Sequence, residues 1–125
     1  SIDAFKINFK LLENFFSETN KFMLLYGDEK SGKKYILNSF INCFHRDKKI
    51  FYASLEDDHF SEKILEGISY FDVIVLDRLD LAPTNPHWEM GIFNLYNDLN
   101  QEGKNQIIFL SDKKSCKLKK NRENR

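Results

Sequence analysis

At 125 residues the chain is long enough for one domain with a real core, and its 42% hydrophobic content is that of a soluble globular protein. Nineteen basic residues balance nineteen acidic ones, so no global field draws the chain toward nucleic acid or an anionic membrane surface. No apolar run reaches the length of a membrane span, the N-terminus lacks a secretory signal pattern, and two cysteines, Cys43 and Cys116, make no disulfide framework; the composition reads as cytoplasmic, with reduced thiols and no structural zinc.

Phe5, Phe9, Leu12 and Phe16, with Leu11 and Phe15, recur at helical spacing and predict an amphipathic helix over residues 3–16. Lys21 to Tyr26 is a short apolar run ending at Gly27, as a buried strand entering a glycine loop does. Ile36, Leu37, Phe40, Ile41 and Phe44 form a helical stripe beginning at Lys33. Ile50–Leu55 reads as a second strand, Ser61–Ile68 as a short helix, and Asp72–Asp77 as a third, β-branched strand between two carboxylates. Pro83–Pro86 reads as a loop, and Trp88, Ile92, Phe93, Tyr96 and Leu99 mark a long helix that stops near Gly103. Gln106–Ser111 is the fourth strand. This alternation predicts an α/β fold in three layers, a parallel sheet between helices with right-handed crossovers, over residues 1–112. The last stretch, 113–125, holds seven Lys or Arg and one Glu and reads as a solvated basic tail, with a nucleic-acid contact as the sharper alternative.

The most specific signal is Gly27-Asp28-Glu29-Lys30-Ser31-Gly32-Lys33-Lys34. A glycine, four residues, a second glycine and a lysine have the spacing of a phosphate-binding loop, and the flanking strand and helix are the context that loop needs. Backbone N–H groups would surround the phosphates, the helix dipole would add to them, and Lys33 would neutralise the β- and γ-phosphates. The pattern asks for Ser or Thr next, whose hydroxyl binds Mg²⁺, and the chain has Lys34. Asp77, ending the third strand, stands where such proteins hold Mg²⁺ through water. Arg78 follows it where a hydrolytic carboxylate often stands, and a guanidinium accepts no proton. Asp112 is placed either to reach the γ-phosphate region or to cap a turn. His45, His59 and His87 suggest no triad or ligand cluster, and Trp88 reads as a packing anchor.

From Leu11 to Asp112 the chain resembles the DnaA-like AAA+ proteins, and within them the short Hda-type regulatory inactivators. Leu24-Leu25-Tyr26-Gly27 with Lys30-Ser31-Gly32-Lys33, the run Leu65 to Asp77, the helix Trp88-Glu89-Met90-Gly91-Ile92-Phe93-Asn94-Leu95-Tyr96-Asn97, and Ser111-Asp112-Lys113 carry the resemblance. It implies a P-loop core for ADP or ATP, with Gly27, Lys30, Ser31, Gly32, Lys33 and Lys34 in Walker A, Asp77 in Walker B as the candidate Mg²⁺ residue, and Asp112 at sensor 1. It also implies replication-initiation control, with DnaA and the DNA sliding clamp as partners, DNA reached only indirectly, and no membrane. Lys34 and Arg78 depart from the family pattern and point to weak metal binding and weak or absent hydrolysis. The family's fifth strand, arginine finger and helical lid are expected to be missing, which leaves the strand order 1-4-3-2 and exposes Phe22–Tyr26 as an apolar edge prone to self-association unless the N-terminal segment or the tail covers it. Two other readings stand beside a nucleotide-bound regulator. One is an active ATPase of the helicase-loader type, with Asp80 as the substitute carboxylate. The other is an interaction scaffold that binds no nucleotide, its loop crowded by Lys34.

Overall fold

Val73-Ile74-Val75-Leu76 is apolar at every position, and all four side chains are fully buried. A strand of that composition has to be covered on both faces, which the observed architecture provides. The computed structural model describes residues 4–18, 22–57, 70–102 and 105–114. Its elements in chain order are β1 (Ala4–Lys6), α1 (Phe9–Ser17), β2 (Phe22–Tyr26), α2 (Lys33–Phe44), β3 (Ile50–Ser54), β4 (Val73–Asp77), a 3-10 helix (Leu79–Thr84), α3 (Pro86–Glu102) and β5 (Gln106–Ser111). The five strands are parallel and lie in the order β1-β2-β5-β4-β3.

The side-chain alternation of the strands divides the core in two. Met23, Leu25, Val73, Val75, Ile108 and Leu110 face α1 and α2. Leu24, Ile74, Leu76, Ile107 and Phe109 face the other way, against α3 and the 3-10 helix, where Trp88, Leu79 and Ala82 pack. Each fully buried aliphatic or aromatic side chain contributes about 1.5–3 kcal/mol of transfer free energy, so β4 and β5 anchor both layers. Trp88, only 3% exposed, is the packing anchor that the sequence suggested. Asn85 starts α3, with Oδ1 accepting the N–H of His87 at 3.0 Å and of Trp88 at 3.4 Å, and Pro86 takes the first helical position, where a missing N–H costs little.

The four predicted strands keep the predicted order, since β2-β5-β4-β3 is 1-4-3-2 in the numbering of the sequence reading. The N-terminal reading needs correcting. The helix expected over 3–16 begins at Phe9 and runs to Ser17, started by Asn8, whose Oδ1 accepts the Leu11 N–H at 2.8 Å. The residues ahead of it form β1, parallel to β2 with Ala4 opposite Leu24 and Lys6 opposite Tyr26. Phe5 shares the helical period of Phe9 and Leu12 by coincidence; an open strand edge offers unpaired backbone groups, and three extended residues pair with the Leu24–Tyr26 part of it. Among the described residues the sheet therefore has five strands, and the edge of β2 expected to be exposed is covered along Leu24–Tyr26, which weakens the basis for self-association through it. The loop expected at Pro83–Pro86 is partly helical, because the 3-10 turn already runs through Pro83. The helix predicted at Ser61–Ile68 and the tail from residue 115 lie outside the described residues. No helix among the described residues is long and apolar enough to cross a membrane.

Candidate functional site

A parallel sheet delivers all its strand C-termini to one edge, and ligand sites of open α/β folds form there. β2 ends at Tyr26 and runs into Gly27, whose N–H donates to the Ser111 carbonyl at 3.1 Å, so the glycine loop starts in register with the end of β5. β3 leads to Glu56, β4 ends at Asp77, and β5 leads to Asp112. With Glu29, Gly32, Lys33, Lys34, Tyr35 and Arg78, these residues line a pocket of about 430 Å³.

The loop is shaped by its own residues. Asp28 accepts the Lys30 N–H through Oδ1 at 2.9 Å and the Ser31 N–H through its carbonyl at 3.0 Å, which turns the chain back toward α2. Gly32 immediately precedes α2 with φ +78°, a left-handed conformation that favours glycine, and no side chain caps the helix there. The first-turn N–H groups and the positive end of the helix dipole thus face the pocket, an arrangement that suits an anion. Gly27 is needed for space: a Cβ there would lie 2.5 Å from Ser31 Oγ and 2.9 Å from Ser31 Cβ.

Three cations meet the carboxylates in this pocket. Lys33, 4% exposed, donates from Nζ to the Gly27 carbonyl at 2.8 Å and to Asp112 Oδ1 at 2.6 Å. Lys34 Nζ lies 3.0 Å from Oδ2 of Asp77, whose Oδ1 accepts the Arg78 N–H at 2.9 Å. Arg78 reaches Glu56 at 3.0 Å, Asp80 at 3.0 Å and Asp112 Oδ2 at 3.2 Å, while its backbone adopts φ +60°. Asp80 Oδ1 also accepts the Asp112 N–H at 3.1 Å, which ties the 3-10 helix to the end of β5. Hydrogen bonding to Asp80 raises the Arg78 pKa despite partial burial, with the neighbouring carboxylates adding to it. Burial pushes the Asp80 carboxyl up, but the Arg78 hydrogen bond, the Asp112 N–H and the Arg78 charge outweigh it and hold its pKa below the ordinary value.

The structure brings Gly27, Gly32, Lys33, Lys34, Asp77 and Asp112 together around one pocket edge. Lys30 and Ser31 shape the loop but do not line the pocket. Lys33 pairs with Asp112 and not with Asp77, the contact expected of a collapsed loop. Sequence reasoning missed Glu56, Glu29 and Tyr35. Glu56 had a usable signal, because it lies two residues beyond β3 at the same sheet edge as the other strand ends. Tyr52 was also missed: its hydroxyl is buried with no hydrogen-bond partner among the described residues, and burial, then the Asp77 charge, raises its pKa well above the ordinary value.

No model of a known protein family matches the chain. An uncharacterised protein of Haemophilus influenzae is 27% identical over 125 aligned positions, which take in 86% of this chain and 54% of that protein, so the chain spans about half the length of this relative. Among solved structures, the chain is similar to a replication initiator DnaA bound to AMPPCP and single-stranded DNA, at 18% identity and TM-score 0.66, covering 83% of this chain and 37% of that one. It is also similar to AMPPCP-bound DnaA from Aquifex aeolicus, at 24% identity and TM-score 0.61, with 83% and 36% covered. A structure described as a DNA replication initiation factor gives 23% identity and TM-score 0.62, with 83% and 35% covered. The chain thus shares the α/β fold of these DnaA structures.

Proposed function

We propose that this chain is a DnaA-related, nucleotide-binding module of an Hda-like regulator of replication initiation, and that it is not an autonomous ATPase. The observation that carries the reading is the uncapped N-terminus of α2, reached through the Gly27–Lys33 loop and opening on a pocket of about 430 Å³. Two of the solved neighbours were determined with AMPPCP, which favours an adenine nucleotide, ADP or ATP, as the ligand here. In this reading Gly27 and Gly32 bring the loop backbone close to the phosphates, Lys33 shares its ammonium between Asp112 and the terminal phosphate, and Asp112 reports on that phosphate to Arg78.

Hydrolysis needs a group to activate or orient water in line with the γ-phosphate. Arg78 occupies the position after Asp77 and holds Glu56, Asp80 and Asp112 in ion pairs. Asp80, the substitute base of the helicase-loader reading, has a side chain only 3% exposed, is paired with Arg78, and has a lowered pKa. It is a poor proton acceptor for that task.

The test is to incubate the chain with labelled ATP and separate bound from free nucleotide by gel filtration. The reading expects nucleotide to elute with the protein and turnover to stay at background. Steady turnover that Asp80→Ala abolishes supports the ATPase instead, and no retained nucleotide supports the scaffold. Mixing the chain with ATP-loaded DnaA and a DNA-loaded sliding clamp then tests the regulatory role, through faster conversion of the DnaA-bound ATP to ADP.

A further inference from the structure

Phosphate sites of the P-loop type neutralise their ligand with a magnesium ion, held directly by the hydroxyl after the loop lysine and through water by the strand-end aspartate. Magnesium asks for near-octahedral oxygen ligands at about 2.0–2.1 Å and keeps several waters. The residues here do not fit it. Position 34 offers no side-chain oxygen, since it is Lys34. Its ammonium lies 3.0 Å from Asp77 Oδ2, and Asp77 Oδ1 accepts the Arg78 N–H at 2.9 Å, so both carboxylate oxygens are engaged. Among the described residues, no group of three or more His, Cys, Asp or Glu side chains is arranged to hold a metal ion.

We infer that the Lys34 ammonium replaces the magnesium ion, so that this pocket binds nucleotide phosphates without a metal. The inference rests on the proposed phosphate site and adds how its charge is balanced. The three cations of the pocket differ in what they have left to give. The Lys33 side chain is 5% exposed and already bonded to Asp112 and the Gly27 carbonyl, and that of Arg78 is 23% exposed with three carboxylate partners. The Lys34 side chain is 54% exposed, and its salt bridge is to the buried Asp77 carboxylate. An ammonium has three donors, so one on Asp77 leaves donors for phosphate oxygens. Lys34 therefore bridges Asp77 and a phosphate as a water-coordinated magnesium ion does, through a cation covalently fixed to the first turn of α2. Asp77 is 2% exposed, and its charge at that depth needs such a partner whether or not ligand is present.

The test is equilibrium titration of ADP into the chain in EDTA and, separately, in excess Mg²⁺. The inference expects the two dissociation constants to agree within about twofold. It also expects Lys34→Thr, which removes the ammonium and supplies a hydroxyl, to bind ADP at least ~10-fold more weakly in EDTA than in Mg²⁺. Wild-type binding that weakens ~10-fold or more in EDTA overturns the inference while leaving the phosphate site standing. Absence of ADP binding in both buffers overturns the inference and the phosphate site together. The wild-type comparison needs no variant, so a poorly folded Lys34→Thr does not protect the inference.

Discussion

Lys33 and Asp112 are 79 positions apart in the chain and meet with Nζ 2.6 Å from Oδ1. The contact joins the glycine loop to the end of β5, and Asp112 extends it through its other oxygen to Arg78 at 3.2 Å. An anion bridged by two cations is the arrangement that a terminal phosphate would adopt in the same place. Asp112 therefore holds Lys33 and Arg78 in position, and under the proposed function an entering phosphate would have to share or displace that carboxylate.

Arg78 combines a left-handed backbone, φ +60°, with ion pairs to three carboxylates. Arg78→Ala removes the pairs, leaves the nearly buried Asp80 without its cation, and should destabilise the fold by about 2–4 kcal/mol. Arg78→Gly loses the same pairs but relieves the backbone, so it should be more stable than Arg78→Ala by roughly 1 kcal/mol. Urea unfolding of the two variants checks the difference, and equal midpoints would argue that the backbone at this position is unstrained.

Gly27→Ala places a Cβ 2.5 Å from Ser31 Oγ and 2.9 Å from Ser31 Cβ, so the loop has to move. The expected outcome is a loss of about 1–3 kcal/mol in stability and weakened ADP binding. Ser31→Gly in the same chain removes both offending atoms and should restore part of each. If the double variant is no better than Gly27→Ala, the clash is not the cause.

β1 covers the outer edge of β2 through three residues in parallel register. Deleting residues 1–6 should expose that edge and produce concentration-dependent association in light scattering, which the full chain avoids through this surface. A deleted chain that stays monomeric over the same concentration series would show that β1 gives the edge no protection.

His45 stacks on Phe16, with ring centroids 4.5 Å apart, at the end of α2. Burial, followed by the Lys48 charge, holds its pKa below 6.5, against the opposing pull of Asp47. The unfolded chain then takes up the proton first as pH falls, so His45 costs stability from about pH 6.5 downward until the folded-state pKa is passed, and nothing above pH 7. Melting temperature should drop between about pH 7 and pH 5, and His45→Phe, which keeps the stacking and removes the proton site, should flatten that part of the slope. An unchanged slope in the variant would assign the pH dependence to the carboxylates.

Strands β2, β3, β4 and β5 and the loop were legible because each rests on local pattern. β4 is apolar at Val73 to Leu76, and Gly27 and Gly32 stand at the two ends of a loop between a strand and a helix. β1 was not legible, since three residues are too few to show a period of two and Phe5 fell into the helical period of α1. In the site, the sequence singled out Lys33, Lys34, Asp77, Arg78 and Asp112 but not which charge meets which. Lys33 choosing Asp112 and Lys34 choosing Asp77 is a consequence of strand order, with β5 lying between β2 and β4. Glu56 joins Arg78 for the same reason, because β3 and β4 are neighbours in the sheet.

The most direct test of the central claim is to titrate ADP into the wild-type chain and into Lys33→Ala, with circular dichroism confirming that both are folded. The account predicts saturable binding to the wild type and its loss in the variant, because the ammonium at the centre of the loop is gone. Equal binding by the two proteins, or no binding by the folded wild type at millimolar ADP, would contradict it and remove the phosphate loop from the function of this chain.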